Sequence, residues 1–305
     1  MIKYENVKKF SKTVLFKTCF VLFLGAVSFS IWFKYSDMAQ TARTAASFQR
    51  IKDIYRAVDL FQKQYHALPG DWANAGGSLK GCTGSQGMNC NPQSQNAGDG
   101  IVGARNFAKT FQMQKMGKTS VPAVSETDET ILFWAHLHLA GLLMGVDTSG
   151  IENQSTIDFG KTNPRNPAGG GYVAGYSDGT PFPNTISPAN AGVKGLVILL
   201  VSDDVLQGGE MNTEGKQAIS PYEAAMIDRK VDDGNANTGK VQAYGSPRCF
   251  YAAERETPAD KEHREELKRS GEMTASSRIH ATRENSYNEI LEDEKECGLI
   301  VKIAD

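Results

Sequence analysis

Val14 to Phe33, VLFKTCFVLFLGAVSFSIWF, is a run of twenty residues with Lys17 as its only charge. That is close to the length needed to cross a hydrocarbon core of roughly 30 Å. The run is therefore expected to be a membrane-spanning helix, and everything after it must fold on one side of a bilayer. Lys17 lies one turn inside the segment, where its aliphatic stem can carry the ammonium back to the interface. Lys3, Lys8, Lys9, Lys12 and Lys17 load the N-terminal flank, so the excess of positive charge expects residues 1–13 in the cytoplasm and the bulk of the chain outside. The rival reading is a cleaved secretory signal ending near Ser28-Phe29-Ser30. It would leave Ile31-Trp32-Phe33 as an apolar new terminus.

Past the apolar run, helical spacing continues over residues 34–68. Phe48, Ile51, Ile54, Tyr55, Val58, Phe61 and Tyr65 fall on one stripe, with Arg50, Lys52, Asp53, Arg56, Asp59 and Lys63 mostly elsewhere. The spacing predicts one continuous rod, its first half facing lipid and its second half covered by a folded domain. Leu68-Pro69-Gly70-Asp71 is the stop: Pro69 lacks the N–H that would continue the helix and restricts Leu68, and Gly70 can take a left-handed turn. Residues 69–305 then form the head. With 305 residues, 40% of them hydrophobic, and a net charge of −2, the chain can bury one good core, and it lacks the basic balance of a nucleic-acid binder.

Within the head, residues 72–125 are rich in Gly, Asn and Gln and are expected to form an extended loop. Glu129 to Met144 is apolar nearly all round, as a buried helix would be. Tyr172–Tyr176 and Leu196–Val201 have strand character, the second as a central strand. Ser220-Pro221-Tyr222-Glu223 combines an N-cap, a proline at the first helical position and a capping-box glutamate, with the helix expected to run to about Val231. Lys240–Tyr244 and Leu299–Ile303 complete the strands. A charged insertion at about 254–281 contains DKEHREELKRS, a helix polar all round.

Of the five cysteines, Cys19 sits in the apolar run and is most simply a packing residue. Cys82, Cys90, Cys249 and Cys297 lie in the part expected to face an oxidising compartment, where four cysteines allow two disulfides in three connectivities. Gly175-Tyr176-Ser177-Asp178-Gly179 matches GxSxG, but a nucleophile elbow needs a helix directly after the serine, and Thr180-Pro181-Phe182-Pro183 follows. His136 and His138 point about 200° apart on a helix, unlike a zinc pair, so one of them is expected to cap or line the core. Asp232, Asp233, Asn235 and Asn237 could supply hard oxygen ligands to calcium. No bidentate glutamate follows at the calcium-loop distance, which favours a helix C-cap and a polar turn.

An apolar run fused to an amphipathic helix, leading through Tyr65-His66-Ala67-Leu68-Pro69-Gly70-Asp71 into a cysteine-bearing head, resembles the type IV pilin and type II secretion pseudopilin family. Three further stretches carry the resemblance: ETILFWAHLHLAGLLMG (129–145), SPYEAAMIDRKVDDGNANTGKVQA (220–243) and CGLIVKI (297–303). The resemblance implies an α+β fold, pilin-like, with the long N-terminal helix packed on a small antiparallel sheet and with large loops. It also implies a Cys249–Cys297 terminal staple, which leaves Cys82 with Cys90. Some pseudopilins bind calcium in a late loop, and Asp232, Asp233, Asn235 and Asn237 are the candidates; no other cofactor is implied. The leader departs from the family: Lys9 stands where a small residue precedes cleavage and Val14 where a glutamate is usual, so the leader is expected to stay uncleaved. The expected function is a non-enzymatic structural subunit in the bacterial inner membrane with its head in the periplasm. Its partners would be other pilin-like subunits and the membrane's assembly platform. The alternative is a membrane-anchored periplasmic enzyme or binding protein with the helix as a simple tether.

Overall fold

The computed structural model describes residues 38–82, 90–92, 96–103, 129–146, 157–180, 192–207, 210–251, 258–270 and 286–305. The chain divides into two compact units, Met1–Ala45 and Ala46–Asp305. Of the first, residues 38–45 are described, and they are helical.

The expected long N-terminal helix, membrane-spanning and then amphipathic, is not seen. Val14–Phe33 lies outside the described residues, and among the described ones no helix is long and apolar enough to cross a membrane. Helical residues run from 38 to 65, and the part in the second unit, 46–65, is α1. What is described of the expected rod is its amphipathic part alone, where Arg50, Lys52, Asp53, Arg56, Asp59 and Lys63 leave one apolar stripe rather than the apolar circumference a membrane span needs. Nor does the helix reach residue 68. His66 already stands in the left-handed region, at φ 54°, ahead of Pro69.

The head is built on a four-stranded sheet in the order β1-β2-β4-β3, where β1 is Gly171–Asp178, β2 Lys194–Val201, β3 Val241–Gly245 and β4 Cys297–Ala304. Every neighbouring pair is antiparallel: Ile198 of β2 lies opposite Ala174 on one side and Val301 on the other, and Val241 of β3 also faces Val301. Strand residues alternate between two apolar layers, as the two-residue period demands. Tyr172, Ala174, Leu196, Ile198, Leu200, Leu299, Val301 and Ile303 share one buried cluster with Ile51, Ile54, Val58 and Phe61 of α1. Val173, Val197, Leu199, Val201 and Ile300 share another with Phe159, Val205 and Met211. Covered on both faces, β2 is apolar at every position after Lys194, Gly195 aside.

The further α-helices among the described residues are α2 (Glu129–Leu139), α3 (Asp203–Leu206), α4 (Pro221–Val231) and α5 (Pro258–Ser270). α2 ends five residues short of Met144 because Gly141 turns left-handed at φ 70°. α4 carries the capping box: Glu223 N donates to Ser220 Oγ at 3.2 Å and Ser220 N donates to Glu223 Oε2 at 2.9 Å. Such a cap stabilises a helix by about 1 kcal/mol. Within α5 the described side chains are exposed, and the rest of the 254–281 insertion lies outside the described residues apart from that helix. Two disulfides staple the head, Cys82–Cys90 and Cys249–Cys297; the second ties β4 at its first residue to the turn Pro247–Cys249.

Candidate functional site

The helix stop is a junction of three chain segments, and a buried histidine holds it. Gly70 N donates to His136 Nδ1 at 2.9 Å, and the other ring nitrogen, Nε2, lies 2.8 Å from the Cys90 carbonyl oxygen. Since Nδ1 accepts, the proton resides on Nε2 and donates to Cys90. One imidazole thereby joins the stop, α2 and the disulfide-closed loop. Burial lowers its pKa to about 4, because a charged ring would have no water around it. His138, two residues on, is only partly buried and its Nδ1 lacks a partner. The histidines diverge, as their offset requires, and one of them lines the core.

Gly70 itself has φ +85°, and a Cβ there would overlap the Glu129 carbonyl oxygen and lie 3.0 Å from Phe133 N. The turn therefore needs glycine twice over, for its backbone angle and for the close approach of α2. Asp71 is buried, and its carboxylate accepts from Gly98 N and, at 2.7 Å, from Gly100 N. Burial raises its pKa while those N–H groups pull it down. Glu129 plays a matching part, accepting from Gly103 N at 2.6 Å. Two carboxylates thus hold the 96–103 loop through its backbone, while Val102 anchors it in the core and accepts from Tyr176 N at 3.0 Å.

A second polar cluster follows α4. Carboxylate oxygens of Asp228, Asp232 and Asp233 lie within 4.8 Å of one another. Asp232 accepts from the backbone of Lys240 and Val241, Asp233 from Asn235 N at 2.8 Å and Thr238 Oγ1 at 2.6 Å. Asn235 in turn accepts from Asn237 N at 3.3 Å. These are the bonds of a polar turn past a helix end, where the backbone supplies every donor except the Thr238 hydroxyl. Asp228, absent from the calcium candidates read from sequence, is fully buried; Tyr287 Oη donates to it at 2.9 Å and Gly234 N at 3.2 Å. Burial pushes its pKa up to about 8. Next to it Arg229 grips Glu289 through two bonds of 2.8 Å. Together these bonds fasten residues 287–289 to α4.

Ser177 of the GxSxG match is buried within β1, and Gly179 N points to its Oγ at 3.4 Å. A strand residue followed by a turn has none of the exposure of a nucleophile elbow. No sequence-family model, no curated protein and no solved structure matches this chain.

Proposed function

We propose that this chain is a non-enzymatic structural subunit of a pilin-like filament, of the type IV pilus or type II secretion kind, held in the bacterial inner membrane by its apolar segment Val14–Phe33. The observation that carries the reading is the use of α1. Its apolar stripe, Ile51, Ile54, Val58 and Phe61, is buried against one face of an antiparallel sheet, and the stop at Leu68-Pro69-Gly70-Asp71 is locked by His136 and two glycine-donor carboxylate contacts. A simple tether needs neither the buried stripe nor the lock.

The reading is tested by cysteine crosslinking across Phe20 and Leu24 of the apolar segment in membranes, in wild type and in a chimera carrying an unrelated apolar segment. Subunit contact in lipid rests on close packing, so the wild type should crosslink to itself or to other subunits and the chimera should lose both crosslinks and function. Full function from a chimera without crosslinks would replace the filament by the anchored enzyme or binding protein.

A further inference from the structure

We infer that the cavity beside the helix stop is a binding site for a neutral saccharide. The cavity measures about 630 Å³, within the range of small-molecule pockets, and such pockets combine an apolar wall with a few placed polar groups. Tyr65 and Trp72 form the apolar wall. Their rings stand 4.9 Å apart at 38°, and Phe61 meets Trp72 edge-on at 5.9 Å, so the platform is held from behind by a fully buried ring. Both platform residues are only partly buried. An aromatic face of this kind matches the C–H face of a pyranose, an apolar body with a polar rim.

Gln62, His66, Asp71 and Asn74 supply the polar groups. Asn74 occupies the N-cap position of the turn Ala75–Gly77, yet its side chain makes no cap hydrogen bond; its amide keeps its donors and acceptor for a ligand. Asp71 is buried and its oxygens are held by Gly98 N and Gly100 N, so it gives the cavity a negative side and leaves the ligand contacts to Gln62, His66 and Asn74. His66 is held in the left-handed region, and such uncommon backbone states in bulky residues gather at ligand sites.

Charge selects among ligands. Among the described residues, neither lysine nor arginine lines the cavity, so an anion would face Asp71 without a counterion from them. A quaternary ammonium is best held by aromatic faces on several sides, whereas the lining beyond Tyr65 and Trp72 is small or aliphatic residues, Ala67, Leu68, Ala73, Gly98 and Gly100, together with the polar groups. Hydroxyl groups, which both donate and accept, fit amides and imidazole at once. The assignment is independent of the filament reading, since binding is scored on the isolated protein.

The test uses the full chain in a polyoxyethylene detergent, whose headgroup carries no sugar. Methyl β-glycosides of glucose, galactose, mannose and N-acetylglucosamine are titrated by calorimetry, with tryptophan fluorescence in parallel. Saturable binding of at least one glycoside is expected, weakened about tenfold by Asn74→Ala and by Gln62→Ala, the loss of one or two hydrogen bonds each. Trp72→Ala should abolish it; because Trp72 packs on Phe61, the Asn74 variant, exposed and uninvolved in capping, keeps the result readable if the tryptophan variant fails to fold. Absence of glycoside binding, binding unchanged in Asn74→Ala and Gln62→Ala, or tighter binding of choline or inorganic phosphate would each overturn the assignment.

Discussion

Gly70→Ala isolates the logic of the helix stop. At φ +85° the new side chain enters the left-handed region, which costs about 1–2 kcal/mol for a residue with a Cβ. The Cβ also overlaps the Glu129 carbonyl oxygen and crowds Phe133 N. Both are backbone atoms of α2, so the relief must come from moving a helix rather than turning a side chain, at about 1–3 kcal/mol for overpacking of this kind. Movement there also stretches the bond from Gly70 N to His136 Nδ1. The expected loss is about 2–5 kcal/mol, read as the change in unfolding free energy from urea titration of the detergent-solubilised chain. Gly77→Ala is the control, since a Cβ at Gly77 meets nothing within 4 Å; it should shift stability by less than about 0.5 kcal/mol. If Gly70→Ala unfolds at the same urea concentration as Gly77→Ala, the close approach of α2 is not what selects glycine at the stop.

Asp228 makes the fastening of residues 287–289 sensitive to pH. Its folded pKa of about 8 lies above the ordinary 3.8, so the folded state binds the proton more tightly, and the stabilisation present below pH 3.8 is lost progressively as pH rises towards 8. The expected slope is about 1.4 kcal/mol per pH unit between pH 5 and 7; Asp228→Asn should flatten it in urea unfolding, and parallel slopes would contradict the assignment. Removing the Cys249–Cys297 bridge by paired serine substitution should cost about 4 kcal/mol for a sequence separation of 48, against about 2.5 kcal/mol for the separation of 8 between Cys82 and Cys90. Differential scanning of both paired variants measures this, and a larger loss at Cys82–Cys90 would reverse the ranking.

What was legible in the sequence was local. The capping box at Ser220 and Glu223 lies within four residues, and the β2 run needs only its own apolar side chains to announce a strand covered on both faces. Pro69 and Gly70 mark a stop by their backbone chemistry alone. The second reason for Gly70 is not local, because the carbonyl it must clear belongs to Glu129. His136 shows the same division: the two-residue offset separates it from His138, but its partners, Gly70 and Cys90, come from 66 and 46 residues away. Asp228 escaped because it lies inside α4, one turn before the polar run, and only Tyr287 and the fold around it make it buried. The end of the amphipathic helix differs from the expected residue 68 for another reason. Apolar spacing marks which face of a helix is buried, but where it ends was set at His66, a residue with no breaker signature.

The strand order carries a consequence for how the head is made. β2 pairs at once with β1, its neighbour in the chain, but its other edge and all of β3 wait for β4, which is synthesised after both. Until residues 202–304 have been produced, the most apolar of the four described strands presents one row of unpaired backbone groups, the arrangement that invites pairing with other chains. The β2–β4 contacts also place much of the sheet's pairing at long sequence separation, which slows folding because loop closure precedes any gain from contact. Once formed, the contacts of residues 287–289 with α4 and the Cys249–Cys297 bridge tether β4 near its slot. They shorten the search that the sheet's connectivity imposes.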